Sequence, residues 1–245
     1  NNPQIKQTMG FNDRSTSGVF CRIASGKVVR NADQGTPGAI RVEKKDKKGN
    51  GTGEFKFEIH NDTVDGRIVR LQAKVDQYNG EEIRKLTVTL NDGGQIIHVD
   101  LNEKSRYWQG LMYALPNVDF SKPVELAPYD FVPKGDVKPI TGMSIKQDGQ
   151  KVQPAFTKET PGKLPQPVIT KFDGKDRYDF FDQRQWLLSE VLPDATQRIQ
   201  ESLGVEPAPM PTQATHVAEE VRPSANAETV VSDIPDDMEE SDLPF

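Results

Sequence analysis

From about Gly18 to Asn102 apolar and polar residues alternate with period two, and the alternation predicts β structure throughout that stretch. Val19 to Ile23 and Lys27 to Arg30 read as one long strand, with Gly26 as a bulge or bend. Ala39 to Glu43 is a second strand, followed by a charged loop, Lys44-Lys45-Asp46-Lys47-Lys48-Gly49-Asn50-Gly51. Phe55, Phe57 and Ile59 then alternate with Lys56, Glu58 and His60. Between Ile68 and Val75, Val69, Leu71, Ala73 and Val75 share one face while Arg70, Gln72 and Lys74 share the other. Leu86, Val88 and Leu90 lead into an Asn91-Asp92-Gly93-Gly94 turn, and Ile97, Val99 and Leu101 close the series.

The period then changes. Glu103 to Leu115 has helical spacing and ends at Pro116. Strands follow at Val124 to Phe131, Ile140 to Lys146 and Lys151 to Phe156, the last two joined by an Asp148-Gly149 turn. Thr157 to Pro167 holds three prolines and reads as a loop. Asp179 to Leu192 is helical, with Pro193 expected to break it and Asp194 to cap a short helix running to Leu203. Tyr107, Trp108, Phe180, Phe181 and Trp186 sit at helical spacing and are expected to pack on the sheet. The whole is mainly β, a closed or partly open barrel with an inserted helix and C-terminal helices; an immunoglobulin-like sandwich is the alternative.

After Gly204 the composition becomes rich in Pro, Ala, Thr, Ser and Glu, which cannot bury enough apolar surface to offset chain entropy. The expected organisation is a flexible segment over 1–16, a folded domain over 17–204, a disordered linker over 205–235 and an acidic tip over 236–245. Hydrophobic residues make up 34% of the chain, consistent with part of its length lying outside a core. The net charge of −6 divides unevenly. Residues 205–245 carry one basic and ten acidic groups, a net of −9, whereas residues 1–204 carry 30 basic and 27 acidic, a net of +3. An overall acidic chain is therefore compatible with a body that attracts polyanions.

Cys21 is the single cysteine, so no intrachain disulfide forms and a reducing compartment fits. No apolar run approaches the ~20 residues of a membrane span and no signal-peptide core is present, so the expected location is cytoplasmic. His60, His98 and His216 are scattered, and no metal-spaced Cys/His cluster, phosphate loop or nucleophile elbow occurs. Neither an enzyme activity nor a metal or other cofactor is expected. Asp62, Asp65 and Asp76 would have to converge for a metal-dependent nuclease; their surroundings read first as a turn.

Cations interleaved with exposed aromatics are what single-stranded nucleic acid requires: charges that follow phosphates and flat rings on which bases stack. Lys44, Lys45, Lys47 and Lys48 place four cations in a five-residue loop, although a merely solvated loop tip has the same composition. Arg67, Arg70 and Lys74 lie along one strand that ends near Tyr78, and Arg84 and Lys85 begin the next. On the first strand Phe20 and Arg22 point away from Val19, Cys21 and Ile23. These twelve residues are the expected binding set. Lys171, Lys175, Arg177 and Tyr178 make a second, weaker patch.

The last ten residues are Asp236-Asp237-Met238-Glu239-Glu240-Ser241-Asp242-Leu243-Pro244-Phe245, with five carboxylates and no base. This ending resembles that of bacterial and phage single-stranded DNA-binding proteins, which close an acidic run with Pro-Phe or a terminal Phe. The resemblance implies an oligonucleotide/oligosaccharide-binding (OB) barrel that coats single-stranded DNA in replication, recombination and repair, in a bacterial or phage-infected cell. It implies that Phe245 anchors in a partner's pocket, Pro244 fixes the approach and Leu243 gives side contact. Asp236, Asp237, Glu239, Glu240 and Asp242 would meet basic ridges on replication proteins such as a polymerase, helicase or primase. The tip, being a polyanion mimic, would also compete for the protein's own DNA groove. No typical opening strand of the bacterial form is present and the body is longer, which points to a divergent, phage-type member and leaves monomer and homo-oligomer both open. The competing reading is an interaction module or decoy that engages replication enzymes through the tip without binding DNA.

Overall fold

The computed structural model describes residues 18–46, 49–78, 81–135, 137–173 and 175–204. The N-terminal segment, Lys47, Lys48, the linker and the whole acidic tip lie outside the described residues. The chain is mainly β. Its strands are β1 (Val19–Ala24), β2 (Lys27–Ala32), β3 (Ile40–Lys45), β4 (Gly51–Asn61), β5 (Val64–Tyr78), β6 (Glu81–Asp92) and β7 (Gln95–Asn102). Helix α1 (Arg106–Ala114) follows, then β8 (Val124–Phe131), β9 (Ile140–Gln147), β10 (Gln150–Lys151), β11 (Val168–Phe172) and β12 (Lys175–Asp179). The described chain ends in α2 (Phe181–Trp186), a π-helical turn (Leu187–Val191) and α3 (Leu192–Ser202).

Ten strands form one sheet in the order β10-β9-β8-β5-β6-β7-β1-β2-β4-β3. Every pairing is antiparallel except β1 with β7. Strands β5, β6 and β7 form a meander, and β8 returns through α1 to lie beside β5, which is a Greek key. Strand β5 serves two neighbours: Val64–Gly66 pairs with β8 and the remainder with β6. The change of partner falls at Gly66, where an added Cβ would lie 3.1 Å from the Asn91 carbonyl oxygen, and a register shift follows between Ile68 and Arg70. A bulge there bends the strand and lets it leave one half of the sheet for the other.

The sheet curls until the β1–β2 turn meets β8. A Cβ on Gly26 would sit 2.5 Å from the Asp130 backbone nitrogen, and the Gly26 N–H donates to the Tyr107 hydroxyl at 2.8 Å. Ser25 (φ +48°) and Gly26 (φ +68°) form a tight two-residue turn, so the expected single strand from Val19 to Arg30 is a hairpin. Val28 and Val29 are both buried and both apolar, so the alternation does not register the reversal. The curled sheet encloses Ile68, Val88, Leu90, Val99 and Leu101, with Leu126 of β8 and Ile145 of β9.

Helix α1 closes the core with Trp108, Leu111 and Met112, all nearly inaccessible. Ser105 caps it by accepting from the Trp108 N–H at 3.1 Å. Gly110 permits the approach to β9: a Cβ there would lie 2.9 Å from the Met143 carbonyl oxygen. Pro193, expected to end a helix, instead lies in the first turn of α3 directly after the π turn, where the Leu192 N–H already bonds five residues back to the Leu187 carbonyl. The expected strand from Lys151 to Phe156 shrinks to Gln150–Lys151, and a separate hairpin, β11–β12, occupies a stretch with no clear periodic signal. No helix among the described residues is long and apolar enough to cross a membrane.

Candidate nucleic-acid interface

The face of the sheet turned away from the core is a consequence of register. Arg70 of β5 pairs with Thr89 of β6, Thr89 with His98 of β7, and His98 with Phe20 of β1, so these four residues form one transverse row. The neighbouring row runs Gln72, Thr87, Asp100, Arg22, Val29 and His60, crossing six strands from β5 to β4. A third begins Lys74, Lys85, Asn102. Burying Leu71, Val88, Val99 and Cys21 turns their immediate neighbours on β5, β6, β7 and β1 to the opposite face, where Phe20, Arg70 and Lys74 are exposed, while Thr87, Thr89 and Val29 in the same rows are buried.

Phe20 is 62% exposed and stacks on the imidazole of His98, with ring centroids 4.7 Å apart and planes 25° from parallel. His98 Nδ1 hydrogen-bonds with the Thr89 hydroxyl at 3.1 Å. Arg70 and Lys74 are exposed and form no hydrogen bond or ion pair with other described residues. An exposed aromatic ring at one end of a row and an uncommitted guanidinium at the other is the combination that serves a stacked base and its phosphate.

The remaining expected residues divide. Arg22 reaches Glu58, which also takes Lys56 at 2.7 Å and His60 at 2.9 Å. Glu58 is 2% exposed. Burial pushes its carboxyl up, but hydrogen bonds from Lys56 and His60 and the charges of Arg22 and Lys56 outweigh burial and hold it at about 2. Lys85 pairs with Asp76 and Arg84 with Glu82, each at 2.8 Å, and Lys44 pairs with Glu54 at 2.9 Å. Lys45 is exposed at the end of β3. Arg67 leaves the expected set. Its guanidinium donates to the Phe120 carbonyl at 2.9 Å and to the Ser202 carbonyl, fastening the end of α3 to β5. Tyr78 is the last residue of β5, paired with Glu81; its side chain, with Lys47 and Lys48, lies outside the described residues.

Sequence reading missed His98, Thr89, Glu58, Lys56 and His60. The signal for His98 was present in the alternation of Ile97, Val99 and Leu101, but its pairing with Phe20 depends on the parallel β1–β7 contact between strands some 78 residues apart. Another cation–ring pair sits on the β3–β4 hairpin, with the Arg41 guanidinium 3.5 Å from the Phe55 ring centroid. In the second basic patch, Arg177 lies 4.1 Å from the Phe172 centroid. The three aspartates of the nuclease alternative stand apart. Asp62 pairs with Lys27, Asp65 faces Glu125 and Asp76 pairs with Lys85. Eleven steps along β5 separate the last two, on the order of 35 Å. Among the described residues no group of three or more His, Cys, Asp or Glu is arranged to hold a metal ion. No protein-family model, no curated protein and no solved structure matches the chain.

Proposed function

We propose that the protein binds single-stranded DNA on the outer face of β5, β6, β7 and β1, coats it without strong sequence preference, and recruits replication proteins through its acidic tip. The observation that carries this reading is the Arg70–Thr89–His98–Phe20 row, which joins an uncommitted cation to an exposed, stacked aromatic across four strands. The topology supports an OB-type barrel: a three-strand meander, an inserted helix, a returning strand beside the first and a further hairpin strand. The parallel β1–β7 pair, in place of closure by β9, is this chain's departure from that plan. The charge division, +3 in residues 1–204 and −9 in residues 205–245, suits a body that attracts phosphate and a tail that attracts basic partners.

A second reading, a tip-bearing module that does not bind DNA, draws support from the ion pairs of Arg22, Lys44, Arg84 and Lys85, which leave fewer uncommitted cations than the sequence promises. Anisotropy titration of labelled oligo-dT at low and high salt separates the two. The first reading expects salt-sensitive binding by the full chain that tightens in a version ending at Gly204, because the competing tail is gone. Absence of binding by both forms leaves only the second.

A further inference from the structure

We propose that His98 is the positioning residue of this interface, a wedge that holds the Phe20 ring in place to receive a base; the inference rests on the single-strand-binding reading above. Phe20 is an exposed aromatic on a strand, and such a side chain ordinarily samples more than one rotamer in water. Here it is held on one side by a ring lying nearly parallel to its own, 4.7 Å away. The wedge is itself fixed from two directions. The Thr89 hydroxyl bonds Nδ1 from the neighbouring strand, which sets the plane of the imidazole. The opposite edge rests against the backbone of Gly18, where an added Cβ would lie 2.6 Å from both Nε2 and Cδ2. A side chain at position 18 would therefore force the imidazole out of this place, and the close approach is a second observation that the ring's place is built rather than incidental.

Ordering Phe20 before DNA arrives removes a rotamer cost from binding. Base stacking itself depends on Phe20; His98 sets how much of it is realised. The two roles separate experimentally. Phe20→Ala should weaken oligo-dT binding about 5- to 150-fold, the range of one stacked base. His98→Ala should weaken it about 2- to 10-fold, the range of one freed side chain, and His98→Phe should restore most of that loss because it supplies a ring without the imidazole. Gly18→Ala should reproduce the His98→Ala deficit by displacing the ring.

The full-length protein is titrated with oligo-dT and, in parallel, with an abasic oligomer of equal length, which carries phosphates but nothing to stack. The expected result is a His98→Ala loss confined to oligo-dT, absent when Phe20 is already Ala, and rescued by Phe. The ring protons of Phe20 should also lose their upfield ring-current shift in the free His98→Ala protein. Equal losses on both oligomers, or no loss on either, overturn the positioning role while leaving single-strand binding intact. If the wild-type protein binds neither oligomer, the binding reading falls and this inference falls with it.

Discussion

A carboxylate with almost no exposure has to be compensated, and Glu58 is compensated from three sides: Arg22 of β1 and Lys56 and His60 of its own strand. The four groups tie β1 to β4 across β2, so the outer face keeps its shape beyond the Phe20 row. Replacing Glu58 with Ala leaves the Arg22 and Lys56 cations without their anion and His60 without its hydrogen-bond partner, and unfolding in urea at pH 7 should show a loss of about 2–3 kcal/mol. A change within 0.5 kcal/mol would mean the cluster is surface decoration. The sign of the pH dependence follows from the lowered carboxyl. In the unfolded chain the group titrates near its ordinary value, so its contribution is complete above about pH 5 and is lost as pH falls toward 2. The stability difference between wild type and Glu58→Gln should therefore shrink through that window and not on the alkaline side.

At the scale of elements, the approach of the β1–β2 turn to β8 is what curls the sheet, and it depends on one residue. Gly26 combines a φ of +68° with a backbone nitrogen 2.5 Å from where a Cβ would be. Backbone cannot rotate away as a side chain does, so Gly26→Ala should cost about 2 kcal/mol or more and lower Tm by roughly 5 °C. Gly149→Ala, at a turn with φ +76° and nothing nearby, isolates the conformational part of that cost and should lose less. Calorimetry showing equal losses would mean the turn does not bear on β8. This is also where sequence reading stopped short. Period-two alternation located β5 to β8 because Leu71, Val88, Val99 and Leu126 each occupy strands with one clearly apolar face. It did not resolve the β1–β2 reversal, since Ser25-Gly26 is a weaker hairpin signal than Asn-Gly or Asp-Gly and Val28-Val29 blurs the parity. Nor did it resolve β11–β12, whose β11 residues are all exposed and so carry no burial signal. Pairing partners are the other loss: nothing local in Arg67 distinguishes a phosphate contact from the staple that holds α3.

The whole molecule sets charge against charge, and Arg67, Arg70 and Lys74 show how that balance is divided between holding the body together and meeting a ligand. All three lie on β5, yet Arg67 satisfies carbonyls of the α1–β8 connection and of α3, while Arg70 and Lys74 open onto solvent. A carbonyl pair left unbonded costs stability, so Arg67→Ala should lose about 1–3 kcal/mol and leave the affinity of the folded protein for oligo-dT unchanged. The Arg70→Ala, Lys74→Ala double variant should behave in the opposite way. Its stability should stay within 0.5 kcal/mol of wild type, because exposed cations contribute little to folding. Its slope of log K against log salt should become shallower by about 1.4, two phosphate contacts at about 0.7 each for a single strand. Because that slope counts displaced counterions rather than total affinity, it distinguishes contact with DNA from a general loosening of the sheet. An unchanged slope in the double variant would move the phosphate path away from β5, toward the Lys44–Lys45 end of β3, where the same measurement on Lys44→Ala, Lys45→Ala would then register the loss.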